Sequence, residues 1–134
     1  MKIEGSCHCG AIKYEAILDP ESVGICHCAD CQKLSASAFR TFGVVQAGEF
    51  RLLEGNPKIY IKKAESGNTR EQAFCGNCGS GLYSTSPGDN PKAHNIRMGT
   101  VAQRDQLPPR FQLWCRSAQS WLPKIETPRK LDKQ

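Results

Sequence analysis

The segment Cys75-Gly76-Asn77-Cys78-Gly79 carries two cysteines three positions apart in a turn that contains glycine. This spacing is typical of a zinc knuckle, in which both thiolates bind one ion and the glycines adopt backbone angles that other residues avoid. A zinc ion held by four thiolates needs two further cysteines. The segment therefore predicts a fold held together by metal, with the missing ligands elsewhere in the chain.

The chain contains eight cysteines, and their clustering predicts metal sites rather than a disulfide framework. Cys7 and Cys9 form a C-x-C pair, which also chelates one ion, and they are the natural partners of the knuckle. A structural zinc at Cys7, Cys9, Cys75 and Cys78 would close a loop of more than sixty residues. Such a crosslink stabilises a small domain with a modest core.

Cys26, Cys28 and Cys31 lie within six positions and have no obvious fourth partner. Three thiolates on zinc leave a coordination position for water or substrate, so this group predicts a second, open and catalytic zinc. The alternative is a second structural site that Cys115 or a histidine completes. Cys115 itself is expected to be a buried structural thiol on a strand, on the same face as Phe111 and Leu113.

The other candidate site residues are basic. His8 and His27 stand between chelating cysteines, so we expect their side chains to turn away from the metal, toward solvent or a hydrogen bond. His94 lies in a polar stretch and is expected at the surface. Three further side chains could line a pocket for an anionic ligand, although a solvated surface position is the default expectation for each: Lys33, Arg40 and Arg97.

The patterning predicts a mainly β protein with one short helix. Ile12, Tyr14 and Ala16 alternate with polar residues and predict a strand with one buried face, and Ile59 and Ile61 repeat the pattern. Strands are expected at 11–17, 39–46, 50–53, 58–64, 71–74, 82–84, 96–101 and 111–116. The helix is expected at 29–38 with Asp30 as its cap. We expect one zinc-binding domain at 1–122 and a C-terminal tail at 123–134.

The composition excludes several classes of protein. The chain of 134 residues has no apolar run long enough for a membrane span and begins without a secretory signal, so a cytoplasmic location without membrane contact is expected. Seven thiolates and two Zn²⁺ lower the formal charge from +5 to about +2, which makes a nucleic-acid partner unlikely. Motifs for nucleophile-elbow hydrolases, phosphate-binding loops and dinucleotide-binding folds are absent from the sequence.

Three motifs in order resemble the glutathione-dependent formaldehyde-activating enzyme family, which includes centromere protein V. They are Gly5-Ser6-Cys7-His8-Cys9-Gly10-Ala11-Ile12-Lys13-Tyr14-Glu15, Cys26-His27-Cys28-Ala29-Asp30-Cys31-Gln32-Lys33 and Phe74-Cys75-Gly76-Asn77-Cys78-Gly79-Ser80. The resemblance runs from about Gly5 to Trp121. The chain departs from the family pattern at Ala36, where glycine is usual, at Ala102-Gln103, where an acidic pair is common, and near Phe111-Gln112, where a histidine is frequent.

The resemblance implies a small, zinc-stapled β-tent of several short antiparallel sheets. It implies two zinc ions per chain, with the structural ion at Cys7, Cys9, Cys75 and Cys78 and the second at Cys26, Cys28 and Cys31. The implied activity is that of a carbon–sulfur lyase, which condenses glutathione or a related thiol with formaldehyde or another small aldehyde to an S-hydroxymethyl adduct. Two alternatives stay open: a zinc-stabilised binding module for a protein or nucleic-acid partner, and a thiol redox enzyme that uses Cys115 or the three-cysteine group.

Overall fold

The computed structural model describes residues 1–64, 66–90, 92–122 and 130–133. In this part of the chain ten strands form two sheets, accompanied by one α-helix and four short 3₁₀ helices. The strands are β1 (Lys2–Ser6), β2 (Lys13–Ile17), β3 (Val23–Cys26), β4 (Arg40–Val45), β5 (Phe50–Glu54), β6 (Lys58–Lys63), β7 (Thr69–Phe74), β8 (Gly81–Thr85), β9 (His94–Arg97) and β10 (Phe111–Leu113). The helix is α1 (Ala29–Ser35). The expected mainly β fold with one short helix is confirmed.

The smaller sheet has the order β1-β2-β5 and is antiparallel throughout. The larger sheet has the order β10-β3-β4-β9-β8-β7-β6. All of its pairs are antiparallel except β10 with β3, which are parallel and place Leu113 opposite Cys26. The fold therefore comprises two sheets rather than several.

One core joins the inward faces of both sheets. The alternation in β1 and β2 buries Ile3, Tyr14 and Ala16 almost completely, as period-two patterning predicts. Leu82 of β8 and Ile96 of β9 complete the core from the larger sheet. The prediction for β2 is confirmed, whereas β1 and β3 were not expected from the sequence.

The strand predicted at 58–64 is confirmed as β6, but the expectation that one of its faces is buried is wrong. Ile59 and Ile61 are 43% and 51% exposed, although their spacing predicts a buried face. The reason is topological, because β6 is the last strand of the larger sheet and no described element covers this face of it. The predicted strand at 96–101 is also shorter, since β9 ends at Arg97 and a 3₁₀ helix, Met98–Thr100, follows.

Helix α1 begins and ends at different residues from those expected. Its N-cap is Cys28 rather than Asp30, because the Cys28 sulfur accepts the Cys31 N–H at 3.3 Å. It ends at Ser35 because Ala36 adopts a left-handed conformation (φ 49°, ψ 41°) that closes the helix. Glycine favours this conformation, which gives a physical reason for a glycine at this position.

No described helix is long and apolar enough to cross a membrane. The C-terminal tail predicted at 123–134 lies outside the described residues except at 130–133. The division into a domain at 1–122 and a tail therefore stays a prediction.

Candidate metal centres and adjoining cavity

Four thiols meet where the two sheets approach each other. Cys7 follows β1 of the smaller sheet, and Cys75 follows β7 of the larger one. The sulfurs of Cys7, Cys9, Cys75 and Cys78 lie within 4.8 Å of one another, with Cys7–Cys9 at 3.6 Å and Cys9–Cys75 at 3.8 Å. Tetrahedral zinc with Zn–S bonds of about 2.3 Å separates its sulfurs by about 3.8 Å. The donor set and the spacing therefore fit a closed four-thiolate zinc site.

Two similar turns present these thiols. In the first, the Gly10 N–H donates to the Cys7 carbonyl at 3.1 Å; in the second, the Gly79 N–H donates to the Cys75 carbonyl at 2.8 Å. Gly10 and Gly79 have φ values of 77° and 78°, which side chains disfavour. The His8 N–H donates to the Ser80 hydroxyl at 3.0 Å and links the two turns.

Ser80 also stabilises the ionised form of one ligand. Its hydroxyl lies 3.3 Å from the Cys78 sulfur, and this hydrogen bond, together with the Ser80 backbone N–H, lowers the pKa of the Cys78 thiol to about 5. A thiol that ionises readily is a good metal ligand, because only the thiolate binds.

The second group of thiols lies at the start of α1. The sulfurs of Cys26, Cys28 and Cys31 are within 4.8 Å of one another, and no other Cys, His, Asp or Glu among the described residues belongs to the group. Burial raises the pKa of the Cys31 thiol to about 12, which keeps the metal-free thiol protonated, while the nearby Arg40 opposes this effect. Three such ligands fit a metal ion with one open position.

Cys115 differs from expectation. It is exposed and begins a 3₁₀ helix, Cys115–Ser117, because β10 already ends at Leu113. Phe111 and Leu113 are also exposed, since β10 is an edge strand. The prediction of a buried strand thiol is therefore wrong, and Cys115 belongs to neither thiol group.

None of the three histidines belongs to either thiol group. His8 is exposed, and His27 is buried with its Nε2 2.7 Å from Gln112 Oε1, in agreement with the predicted hydrogen-bonding role. His94 is not a surface residue as predicted. It lies on β9, half-buried, and its ring stacks on Phe50 with centroids 4.3 Å apart.

The neighbourhood of the three-cysteine group is fixed by glutamine side chains. The Gln32 amide donates to the His27 carbonyl at 2.7 Å and to the Ser117 carbonyl at 3.0 Å. Gln119 in turn donates to Gln32 Oε1 at 2.7 Å. These bonds hold α1 against the segment that follows β10, and so they fix the backbone between Cys26 and Cys31.

A cavity of about 760 Å³ lies between α1 and the larger sheet. This volume is within the range of small-molecule sites, about 300–1,000 Å³. Apolar side chains from α1, β6 and β7 line much of it, and its polar wall carries two guanidinium groups, Arg40 and Arg97. At the side of α1, Lys62 Nζ and Asp30 Oδ2 form an ion pair of 2.7 Å that joins the helix to β6.

Arg40 and Arg97 are not at a solvated surface as expected. Arg40 on β4 is only 7% exposed and pairs with Cys26 in the β3–β4 ladder. Burial, reinforced by the charge of Arg40, lowers the pKa of Arg97 to about 9. Both side chains line the cavity, whereas Lys33 is exposed and does not. Arg40 and Arg97 therefore take the pocket position that the sequence allowed as the alternative, whereas Lys33 takes the default surface position.

The wall opposite the helix is held by a chain of hydrogen bonds. The Tyr14 hydroxyl lies 2.7 Å from Thr100 Oγ1, and the Thr100 hydroxyl donates to the Arg97 carbonyl at 2.8 Å. Burial raises the pKa of Tyr14 to about 12. This chain connects the buried face of the smaller sheet to the backbone that carries Arg97.

Fold and site together define a small β protein with two cysteine groups that could each hold a metal ion, one of them at the start of a helix that lines a ligand-sized cavity. Residues 2–117 match the family model described as glutathione-dependent formaldehyde-activating enzyme. The chain belongs to this family.

Two relatives have names of the same kind. A protein of Schizosaccharomyces pombe named an uncharacterized lyase is 34% identical to this chain over 66% of its residues. The matched part covers only 61% of the length of that protein. A protein of Halomonas elongata named "Putative glutathione-dependent formaldehyde-activating enzyme" is 25% identical over 91% of this chain and 80% of its own. A crystal structure of a Rhodobacter sphaeroides protein is similar in fold, with a TM-score of 0.61 and 18% identity, over 81% of this chain and 98% of that one.

Proposed function

We propose that this protein is a zinc-dependent carbon–sulfur lyase-type enzyme that joins glutathione, or a related thiol, to formaldehyde or another small aldehyde. The observation that carries the proposal is the group of Cys26, Cys28 and Cys31, which has no fourth ligand among the described residues and lies at the start of the helix whose C-terminal end lines a cavity of about 760 Å³. Family membership supplies the class of reaction.

In this reaction the thiol sulfur forms a bond to the aldehyde carbon. The electron pair of the carbon–oxygen π bond moves to oxygen, and the thiol proton is transferred to that oxygen, which gives an S-hydroxymethyl adduct. Zinc held by Cys26, Cys28 and Cys31 would supply a Lewis acid with one open coordination position. The apolar side chains of the cavity exclude water, and its arginines orient the reactants.

The second part of the proposal assigns the four-thiol group a structural role. Cys7 and Cys9 come from the loop after β1, and Cys75 and Cys78 from the loop between β7 and β8. Zinc at this position would fix the smaller sheet to the larger one. The cavity is lined by Gly79 and Ser80 of the same loop, so this ion would also stabilise one wall of the site.

The proposal is tested by substituting one thiol of the open group. We expect Cys28→Ser to keep its fold and one zinc per chain and to lose the acceleration of adduct formation over the uncatalysed rate. The matched control is Cys115→Ser, because Cys115 is exposed and outside both groups. This control should keep two zincs and full activity. Zinc is measured by elemental mass spectrometry, the fold by circular dichroism, and the adduct by nuclear magnetic resonance of glutathione with formaldehyde.

Other outcomes select the alternatives. Global unfolding of Cys28→Ser would contradict the division into a structural and an open site. Two zincs that resist exchange with glutathione, with no adduct formed by the wild type, would favour the binding module. A disulfide that forms during turnover and includes Cys115 would favour thiol redox chemistry.

A further inference from the structure

Two positive charges face the cavity, and no described carboxylate pairs with them. Arg40 and Arg97 both contribute to its wall, and neither forms an ion pair within residues 1–64, 66–90, 92–122 and 130–133. Both are at least half-buried, and they are close enough to repel each other electrostatically. Two unpaired guanidinium groups in one partly buried wall are costly unless an anion binds between them.

The immediate partner of Arg97 is a neutral amide. Arg97 Nη2 on β9 donates to Gln72 Oε1 on β7 at 2.7 Å, across the wall of the cavity. This bond orients the guanidinium without neutralising its charge. A guanidinium has five N–H donors, so several remain for a second partner. Carboxylates are the preferred partners, because their two oxygens match the guanidinium fork.

The volume of the cavity also indicates the size of its ligand. Formaldehyde has two heavy atoms, so a cavity of about 760 Å³ must accommodate a larger reactant. Both arginines interact electrostatically with the thiol of Cys31 or Cys26. A ligand that reaches the three-cysteine group with its sulfur can therefore place a carboxylate near Arg40 and Arg97.

We propose that Arg40 and Arg97 form a carboxylate subsite, positioned by Gln72, that selects an acidic thiol as the substrate of the three-cysteine site. This inference rests on the proposed function for the reaction, but the subsite itself is defined by the arginines. Arg40 and Arg97 contact the ligand, and Gln72 acts through Arg97. The alternative is that both charges only offset the thiolates of the cysteine group.

The test compares two thiols of similar size, 3-mercaptopropionate and 2-mercaptoethanol, which differ in charge. Their dissociation constants are measured by calorimetry on the zinc-loaded protein without oxidant. We expect the wild type to bind 3-mercaptopropionate at least about 10-fold more tightly, since hydrogen bonds to charged groups are the strong ones. Arg97→Gln should abolish that preference and leave the zinc content and the affinity for 2-mercaptoethanol unchanged.

Matched variants separate the roles. Arg116→Gln is the control, because Arg116 is exposed and lies outside the cavity. Arg116→Gln should keep the preference for 3-mercaptopropionate over 2-mercaptoethanol. Gln72→Glu keeps the size of the side chain but places a carboxylate against Arg97, so it should reduce the preference by about 10-fold, whereas Gln72→Leu should reduce it less. If Arg97→Gln fails to fold, the comparison of Gln72→Glu with Gln72→Leu supplies the test.

Two results would overturn the subsite. One is a preference for 3-mercaptopropionate that survives both Arg97→Gln and Gln72→Glu. The other is an equal loss of affinity for both thiols in Arg97→Gln, which would indicate that the charge of Arg97 only offsets the charge of the cysteine group. The proposed lyase reaction fails separately: a wild type that shows the carboxylate preference but does not accelerate adduct formation from glutathione and formaldehyde above the uncatalysed rate would overturn the reaction and keep the subsite.

Discussion

The ring of Tyr14 lies directly over the backbone of Gly5, in the space where a Cβ on Gly5 would project. The two residues are paired in the β1–β2 ladder, and the Tyr14 hydroxyl is held by Thr100. The glycine in this strand therefore makes room for a buried aromatic side chain that cannot move aside without losing its hydrogen bond.

Gly5→Ala should destabilise the protein by about 1–3 kcal/mol, because the new methyl group forces the Tyr14 ring out of its position. The matched control is Gly99→Ala, since a Cβ at Gly99 meets nothing within 4 Å. Chemical denaturation of both variants measures the difference. Equal stabilities would contradict the close approach of Tyr14 to Gly5.

Tyr14 should ionise only at strongly alkaline pH, because burial raises the pKa of its hydroxyl. Its pKa is about 12 in the folded protein and 10 in the unfolded chain, so the folded state holds the proton more tightly. The associated stability is fully present below pH 10 and is lost as the pH rises through 12. An absorbance titration should show a final tyrosinate step near pH 12 that disappears in Tyr14→Phe and persists in Tyr60→Phe.

Ala36→Gly should stabilise the protein by up to about 1 kcal/mol. Ala36 has φ 49°, and a left-handed conformation costs a residue with a Cβ about 1–2 kcal/mol, which exceeds the entropy cost of glycine in the unfolded chain. Ala47→Gly, at an exposed residue without positive φ, should instead destabilise by about 0.4–1 kcal/mol. Thermal melts measure both, and a destabilised Ala36→Gly variant would count against the assigned conformation.

Zinc at the four-thiol group should contribute more to stability than zinc at the three-thiol group. We expect Cys9→Ser to unfold at a much lower temperature than Cys28→Ser, because Cys9 closes a loop to Cys75 across 66 positions and joins two sheets. Calorimetry, with zinc per chain determined in parallel, measures this order. The reverse order would mean that the roles of the two groups are exchanged.

A side chain at Gly99 should block the cavity. Gly99 lines it, has no positive φ, and has open space where a Cβ would project. Gly99→Leu should therefore keep the fold and zinc content of the wild type but weaken binding of 3-mercaptopropionate by about 10-fold or more, from loss of volume. Gly99→Ala, with one added carbon, should bind nearly as well. Unchanged affinity in Gly99→Leu would place the ligand elsewhere.

Cysteine spacing predicted the grouping of thiols because chelation is local within each motif. The C-x-C and C-x-x-C segments each form a turn that brings their own sulfurs together, and only one arrangement uses both in a four-thiol group. Period-two alternation similarly identified β2, since one of its faces is buried. The roles of the two groups stay predictions, as does the metal that each holds.

Burial that depends on neighbouring strands could not be predicted from the sequence. Ile59 and Ile61 are exposed because β6 is an edge strand, and Arg40 is buried because β4 is central. Strand order, rather than local composition, decides both. His94 is a third example, since its polar neighbours in the sequence indicate surface, whereas Phe50 and Tyr83 from other strands enclose its ring.

The separation of the four-thiol ligands along the chain also affects how the protein is made. Cys75 and Cys78 follow Cys7 and Cys9 by more than sixty residues. A metal ion shared by all four thiols could therefore bind only after this intervening stretch has left the ribosome. During that interval Cys7 and Cys9 have no such ion to share with Cys75 and Cys78, and free thiols are open to oxidation, so we expect the supply of metal and the redox conditions to affect the yield of native protein.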